Sequence, residues 1–344
     1  MNPATHRARL GLGLAAIGRP AYITEGRDTD LGAGAARSVE VMRARAHALL
    51  DEAWALGVRY VDAARSYGLA EQFLGSWLAE HPGRRADLTV GSKWGYEYLG
   101  DWQLNAETQE RKQHSVRMLD RQWPETLTAL GGAPDVYLIH SLTPDSPALG
   151  DAALLDRLRE LASGGTRLGF STSGPSQGAV IDAVLALPDS PFGAVQTTWN
   201  LLEPSAAPAL ARAHDAGWFV VIKEALANGR LTTRGAAGSS DDGDADSPAG
   251  AATAGEPDAR AFAARQNRPL EALALDVAAA QPWADVVLTG AVTPAQLREN
   301  VAGLAPSAAA QDEAAAAALT GPAAAALAEP PELYWAKRGA RAWR

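Results

Sequence analysis

The 344-residue sequence predicts an α/β protein that folds as a single (β/α)8 barrel, the TIM barrel. Two observations carry this prediction: eight short apolar runs recur along the chain, and amphipathic segments separate them. Buried parallel strands are continuously apolar, and eight strand-helix units in succession favour a closed barrel. A doubly wound open sheet is the alternative, but GLGLAAIG near the N-terminus does not match GxGxxG, and no acidic residue stands in the usual place after a following strand.

The eight apolar runs are the predicted strands. In chain order they are RLGLGLA (9–15), GVRYVDA (57–63), DLTVGSK (87–93), PDVYLIH (134–140), TRLGFST (166–172), GAVQTTW (193–199), GWFVVIK (217–223) and ADVVLTG (284–290). The segments between them, such as VMRARAHALLDEAWALG, have apolar residues near helical spacing and glycine at or just past their ends. That pattern is typical of amphipathic helices.

Two stretches depart from this alternation. Residues 235–259 contain no large apolar side chain and are rich in acids, Gly, Ser and Pro, so we predict a disordered or mobile insertion after strand seven. The alanine-rich stretch 306–328 is instead predicted to be helical, because alanine is the best helix former.

The composition argues against several classes of protein. The net charge of −9 is unfavourable for nucleic-acid binding, which needs clustered Lys and Arg. Since there is no cysteine, a disulfide, a thiolate zinc site and a cysteine nucleophile are all excluded, and we expect a cytoplasmic protein without a metal site. No apolar run reaches the length of a membrane span. The first run is followed by GRPAYI rather than a signal-peptide cleavage pattern, so we assign it to strand one.

Four polar side chains stand at or just after predicted strand ends, where α/β barrels carry their chemistry. Asp62 ends strand two, Lys93 ends strand three, His140 ends strand four, and Tyr67 follows Asp62 in the next loop. Each has an ordinary structural alternative: a helix cap for Asp62, a surface loop for Lys93, and packing for His140 and Tyr67. Because neighbouring strands of a barrel end around one mouth, their joint placement favours a common site.

Together these four residues could donate a proton to a carbonyl group, with Tyr67 as the acid and the other three in supporting roles. A free tyrosine has a pKa of about 10, too high for an efficient acid, and we expect the ammonium of Lys93 to lower the pKa of Tyr67. Asp62 would keep Lys93 charged, and His140 would hydrogen-bond the substrate oxygen. Reduction also needs a hydride, which no side chain supplies, so the site implies a nicotinamide cofactor.

The same residues lie in motifs that resemble a known family. The stretch DAARSYGLAE resembles the DxAxxYGxAE signature of the aldo-keto reductases, and SKWG and DVYLIH resemble its lysine and histidine motifs in order and spacing. The resemblance implies a catalytic tetrad of Asp62, Tyr67, Lys93 and His140. It extends through GFSTSG, VQTTWNLLEP and TGAVTPAQLREN, while PPELYWAKRGARAW resembles the C-terminal tail of one bacterial branch, similar to aldose and pyridoxal dehydrogenases. We expect one barrel over residues 1–344, with a tail over 330–344.

The resemblance also implies residues that contact cofactor and substrate. Those near the nicotinamide are Ser171, Thr172, Gln196 and Asn200; those along the pyrophosphate and adenosine are Leu226, Asn228, Gly229, Gln296, Glu299 and Asn300. Mouth residues that indicate an aromatic, partly apolar substrate pocket are Ala16, Trp94, Tyr96, Trp102 and Trp199, although the three tryptophans have simple packing as an alternative.

The choice of cofactor depends on where the chain departs from the family pattern. Thr172 stands where the family often has Asn, and Lys223 stands where it often has an aromatic residue that stacks on the nicotinamide; Trp199 is a candidate substitute. NADP(H) is the usual family cofactor. However, TGAVTPAQ contains no Lys or Arg before Arg298, and a 2′-phosphate needs a positive partner, so NAD(H) is the alternative.

The leading functional prediction is an NAD(P)(H)-dependent aldo-keto reductase that converts an aldehyde or ketone to an alcohol. Its substrate would be a small-molecule carbonyl compound or, for the reverse reaction, a small-molecule alcohol. One alternative is an NAD-dependent dehydrogenase that oxidises a sugar or pyridoxal-like alcohol in the same site. Another is a subunit that binds the cofactor as a sensor without significant turnover. The sequence indicates neither the physiological substrate nor the oligomeric state.

Overall fold

The ten strands of the protein form a barrel and a small hairpin in a computed structural model that describes residues 8–24, 27–233, 259–304 and 325–343. The strands are β1 (Arg9–Gly13), β2 (Tyr60–Asp62), β3 (Thr89–Trp94), β4 (Tyr96–Tyr98), β5 (Glu110–Lys112), β6 (Val136–Leu142), β7 (Arg167–Thr172), β8 (Phe192–Thr198), β9 (Phe219–Lys223) and β10 (Val286–Thr289). Eight of them close a parallel barrel in the order β1-β10-β9-β8-β7-β6-β3-β2. Every predicted apolar run overlaps one barrel strand, which confirms the (β/α)8 fold; the alternative of an open sheet is wrong.

Helices cover the outside of the barrel. They are α1 (Arg27–Leu31), α2 (Val39–Ala55), α3 (Ala70–Glu80), α4 (Val116–Leu130), α5 (Ala152–Ser163), α6 (Gln177–Leu185), α7 (Ala207–Asp215), α8 (Ala259–Arg265), α9 (Leu270–Ala279), α10 (Pro294–Leu304) and α11 (Pro331–Gly339). Ser38, Ser115 and Asp151 cap α2, α4 and α5 by accepting a hydrogen bond from a backbone N–H of the first turn. Such caps satisfy donors that have no partner inside the helix, so they fix where each helix begins.

The core has two layers. Inside the barrel, Tyr60, Leu138, Val221 and Leu288 belong to a cluster of buried side chains that fills the interior. Outside it, larger clusters join the strands to the helices. Because side chains fill the barrel itself, the room for a ligand lies at its mouth, at the carboxyl ends of the strands.

The hairpin of β4 and β5 was not predicted. Its strands are three residues long and pair antiparallel, with Tyr96 opposite Lys112 and Tyr98 opposite Glu110. None of its residues is fully buried. A pair so short and polar has no apolar pattern to reveal it, yet it follows β3 directly and carries Tyr96 and Glu110 to the mouth.

Several predictions fall outside the described residues. The insertion predicted at 235–259 lies there apart from Ala259, which begins α8, and the helix predicted at 306–328 lies there as far as residue 324. Within the described part of the chain, no helix is long and apolar enough to cross a membrane.

The close contact between α3 and α4 gives a test of the packing. A Cβ added at Gly75 would lie 1.9 Å from the carbonyl oxygen of Ala129, so Gly75→Ala should destabilise the protein by about 2 kcal/mol, although alanine is the better helix former. Gly83→Ala is the control, because nothing lies within 4 Å of that position. Urea unfolding followed by tryptophan fluorescence measures both variants, and equal free energies of unfolding would contradict the predicted clash.

Candidate active site

A buried ion pair lies at the centre of the site. The Lys93 Nζ atom donates hydrogen bonds to Asp62 Oδ2 at 2.5 Å and to the Ala63 carbonyl oxygen at 2.9 Å. The Gln196 Nε2 atom donates to the other oxygen of Asp62 at 2.8 Å. All three side chains are buried, and the pairing of β2 with β3 brings the ends of these strands together. Both carboxylate oxygens are therefore satisfied, as a charge in a dry interior requires.

Tyr67 and His140 lie beside this ion pair. The Lys93 Nζ atom is 4.7 Å from the centre of the Tyr67 ring, and the His140 ring meets the same ring edge-on with 5.4 Å between centroids. The Ser66 hydroxyl and the Nδ1 atom of His140 are 3.2 Å apart and hydrogen-bonded. The structure thus brings together all four residues expected from the strand ends.

The protonation states follow from burial and nearby charges. Burial raises the pKa of Tyr67 well above its usual value, Asp62 raises it further, and the charge of Arg19 opposes both. Burial lowers the pKa of Lys93, against the attraction of Asp62. Burial and the charges of Lys93 and Arg19 hold the pKa of His140 well below its usual range, so its imidazole is neutral at pH 7. We expected Lys93 to lower the pKa of Tyr67. Instead burial and then Asp62 have the largest effects on the pKa of Tyr67, and both raise it.

A cavity of 380 Å³ opens above these residues. Asp62, Tyr67 and His140 line it, whereas Lys93 lies beneath, fully buried. Most of the expected cofactor residues also line this cavity: Gln196, Lys223, Leu226, Asn228, Gly229, Gln296, Glu299 and Asn300. Ser171 and Thr172 are buried beside it, where the Ser171 hydroxyl accepts a hydrogen bond from the Ser141 backbone N–H at 2.7 Å. Asn200 is buried as well.

Only two of the expected substrate residues, Ala16 and Tyr96, line the cavity. Trp94 is buried in the hydrophobic core, Trp102 donates from Nε1 to the Arg37 carbonyl oxygen at 2.8 Å, and Trp199 packs edge-on against Trp283. All three contribute to packing. The aromatic lining instead includes residues that the sequence analysis did not single out, Tyr22 and Trp343, with Arg19, Glu110, Glu224 and Arg338 as charged neighbours. In the sequence, Arg19 and Tyr22 lie in GRPAYI after strand one, and Arg338 and Trp343 lie in the tail motif, whereas no motif marks Glu110 or Glu224.

The C-terminal tail closes one side of the mouth. Arg338 on α11 donates hydrogen bonds to Glu224. Its Nε atom is 3.0 and 2.9 Å from the two carboxylate oxygens, and its Nη2 atom is 2.6 Å from one of them. The Asn200 Nδ2 atom donates to the buried Tyr334 hydroxyl at 3.0 Å. Burial by itself would raise the pKa of Glu224, but Arg338 and Lys223 hold it at about 2. The tail is therefore tied by charge to the loop after β9, which lines the cavity.

The described structure is a closed barrel with a buried Asp-Lys pair at its centre and a tyrosine and a histidine at its mouth. The sequence model of the aldo/keto reductase family matches residues 30–316, which is most of the chain. The protein therefore belongs to the aldo/keto reductase family, as its motifs predicted.

Solved structures support the same fold. The holo form of the aldo-keto reductase AKR11C1 from Bacillus halodurans is 22% identical with a TM-score of 0.64, and the match covers 90% of this chain and 91% of that one. Two structures from Pseudomonas aeruginosa, described as an aldo-keto reductase, are 20% and 21% identical with TM-scores of 0.58. Both matches cover 88% of this chain; they cover 92% of the first Pseudomonas chain and 91% of the second. No curated protein matches the chain by sequence.

Membership in the family makes this protein an NAD(P)H-dependent oxidoreductase, which confirms the predicted class of enzyme. The residues present fit such a cofactor. The Oε1 atom of Gln196, which lines the cavity, is buried without a hydrogen-bond partner in the described structure, and a nicotinamide carboxamide offers the missing donor. The described residues contain no group of three or more His, Asp or Glu that could hold a metal ion.

The ion pair between Glu224 and Arg338 predicts an acid-dependent loss of stability. Removing its cation in Arg338→Met should lower the free energy of unfolding by about 2 kcal/mol at pH 7, because Glu224 then stays buried with less compensation. Since the pKa of Glu224 falls from an ordinary 4.5 to about 2 on folding, its contribution is complete above pH 4.5 and is lost as the pH falls towards 2.

Unfolding measured between pH 7 and pH 3 tests this expectation. The variant should lose less stability than the wild type across the acid range, since its Glu224 gains less from ionisation. Lys337→Met is the matched control: Lys337 precedes Arg338 on α11, is 42% exposed and pairs with Glu329 instead. Equal losses in the two variants would show that the pair with Glu224 has no special weight.

Proposed function

We propose that this protein reduces a small-molecule aldehyde or ketone to an alcohol, with Tyr67 as the proton donor. The observation that carries the proposal is the meeting of Asp62, Lys93, Tyr67 and His140 at one cavity whose lining continues to Gln196 and α10. When bound, the nicotinamide cofactor supplies the hydride. Gln196 would hold its carboxamide, and the lining residues Leu226, Asn228, Gly229, Gln296 and Asn300 would hold the remainder.

The side chains have separate roles in this reaction. Tyr67 stays protonated at rest because burial raises its pKa, so its hydroxyl is ready to donate to a carbonyl oxygen. Lys93, held by Asp62 beside the Tyr67 ring, stabilises the tyrosinate that remains after the proton has left. If the Ser66 hydroxyl donates to Nδ1 of the neutral His140, its Nε2 carries the proton and can orient the same oxygen.

Tyr67→Phe tests the proton donor. It should reduce turnover about a thousandfold while leaving the binding of NADH, followed by its fluorescence, close to wild type. Tyr98→Phe is the control, because the Tyr98 hydroxyl accepts a hydrogen bond from the Trp102 backbone N–H and lies away from the cavity lining. Undiminished turnover in Tyr67→Phe would reject tyrosine as the acid.

The residues near the α10 end of the cavity favour NAD(H) over NADP(H). Asp30 accepts a hydrogen bond from the Gln296 Nε2 atom at 2.6 Å, and both residues line the cavity. Arg298, the first cation after TGAVTPAQ, instead pairs with Glu52 at 2.9 Å. A carboxylate suits a ribose hydroxyl and repels a 2′-phosphate. This supports the cofactor alternative raised by the sequence.

Fluorescence titration of the protein with NADH and with NADPH tests this preference without measuring turnover. The wild type should bind NADH about tenfold more tightly, a difference of about 1.4 kcal/mol. Asp30→Asn should lower the ratio of the NADPH dissociation constant to the NADH dissociation constant, because it strengthens NADPH binding. Asp28→Asn, on the same helix but outside the cavity lining, should leave it unchanged. Tighter binding of NADPH by the wild type would overturn the preference.

Oxidation of a sugar or pyridoxal-like alcohol is the second candidate function, and the acidic group at Asp30 that favours NAD(H) supports it. The same four residues serve both directions, with Tyr67 accepting the proton that it otherwise donates. A panel of carbonyls and alcohols, followed by nicotinamide absorbance with both cofactors, separates the two directions. Binding without turnover across the panel would favour the third alternative, a cofactor-sensing subunit.

A further inference from the structure

Tyr67 has a second buried cation beside it, which the sequence analysis did not anticipate. The Arg19 Cζ atom lies 5.3 Å from the centre of the Tyr67 ring. Its Nη1 atom donates to the carbonyl oxygen of Ser66, the residue before Tyr67, at 2.9 Å. The same guanidinium lies 4.6 Å from the Trp343 ring and 5.0 Å from the Tyr22 ring. Arg19 is therefore held at the tyrosine by the backbone and by aromatic rings.

Two glycines bring the Arg19 loop this close. A Cβ added at Gly18 would lie 2.4 Å from the Tyr67 carbonyl oxygen, and one added at Gly68 would lie 2.8 Å from the Arg19 Cβ. Gly68 also has a φ of +60°, which favours glycine. The Leu69 backbone N–H donates to the Gly18 carbonyl oxygen at 2.8 Å and joins the two loops. The placement of Arg19 against Tyr67 is thus built into the backbone.

The two cations beside Tyr67 differ in how far they are neutralised. Lys93 contacts Asp62 at 2.5 Å, and both side chains are almost fully buried. Arg19 pairs at 2.8 Å with Glu110 of β5, whose side chain is 21% exposed and therefore better screened by water. The Arg19 Nε atom is buried with no hydrogen-bond partner among the described residues. More of the positive charge of Arg19 is left to act on the tyrosine.

We propose that Arg19 is a positioning residue that sets how readily Tyr67 gives up its proton, and that Glu110 moderates its effect. The inference rests on the proposed role of Tyr67 as the acid. It assigns to the loop after β1 a part of the proton-donor chemistry that the motif pattern places on Lys93 alone.

The titratable and charged groups around Tyr67 come from six elements and are consistent with this assignment. They are Arg19 and Tyr22 after β1, Asp62 on β2, Lys93 on β3, Glu110 on β5, His140 on β6 and Glu224 after β9. Burial and then Asp62 raise the pKa of Tyr67, Glu110 and Glu224 raise it further, and Arg19 lowers it. His140 is neutral at pH 7, so it adds no charge.

The acidity of the phenol can be measured directly in the full-length protein. Replacing Tyr67 by 3,5-difluorotyrosine, whose phenol ionises at lower pH than tyrosine, allows its titration to be followed by 19F NMR. Removal of the positive charge in Arg19→Met should shift the midpoint upward, whereas Arg19→Lys should keep it closer to wild type. Glu110→Gln should shift it downward, because a negative charge is lost.

Glu97→Gln is the matched control for Glu110→Gln. Glu97 lies on the other strand of the same hairpin, has the same 21% side-chain exposure and pairs with Arg111 and Arg121 outside the cavity. It should not move the titration midpoint. An unchanged midpoint in Arg19→Met would overturn the proposal, and so would equal shifts in Arg19→Met and Arg19→Lys, which indicate packing rather than charge. If the Arg19 variants fail to fold, the direction of the Glu110→Gln shift decides.

Kinetics distinguish failure of this inference from failure of the proposed function. In unlabelled protein, Arg19→Met should lower kcat about tenfold at pH 7 and displace its pH profile upward, with NADH binding retained. If Tyr67→Phe removes turnover but Arg19→Met leaves the profile in place, Tyr67 remains the acid and the role of Arg19 is rejected. If the protein shows no turnover, the midpoints of the fluorinated proteins still test whether the charge of Arg19 acts on Tyr67.

Discussion

The ion pair of Asp62 and Lys93 is the interaction on which the rest of the site depends. Asp62 lies where strands β2, β3 and β8 contribute side chains to one point, since it accepts hydrogen bonds from both Lys93 and Gln196. Two full charges at that depth are tolerable only because each satisfies the other. The same pair holds Lys93 next to the Tyr67 ring and Gln196 next to the cavity. The barrel strands therefore determine where these three side chains lie relative to Tyr67 and the cavity.

Around this fixed centre, the mouth is completed by segments that are distant in sequence. The loop after β1 brings Arg19 and Tyr22, the β4-β5 hairpin brings Tyr96 and Glu110, and the tail brings Arg338 and Trp343. Two ion pairs connect these segments. Arg19 pairs with Glu110 of the hairpin, and Arg338 pairs with Glu224 in the loop after β9. The lower part of the site is buried, whereas the ion pairs of its rim each include a side chain that is 21% or 25% exposed.

The sequence predicted the barrel because buried parallel strands are continuously apolar, and it predicted the tetrad because strand ends in a barrel share one face. The prediction of the pocket lining failed for three tryptophans, because it depends on which way a side chain points and not only on where the residue stands along the chain. Lys93 points to Asp62, so its neighbour Trp94 points to the opposite side of β3 and into the outer core. A tryptophan next to the strand end that carries Lys93 is therefore no guide to the lining of the cavity. Arg19 and the tail could not be placed either, because their contacts are long-range and have no local periodicity.

The connection between α11 and the loop after β9 has a consequence for the order in which the molecule is made. All eight barrel strands lie before residue 290, and β1 can pair with β10 and close the barrel once β10 has left the ribosome. Arg338, Arg341 and Trp343 leave the ribosome later than any strand. A nascent chain whose barrel strands have folded before α11 is available still lacks the contact of Arg338 with Glu224, so the side of the cavity formed by α11 is completed after the barrel.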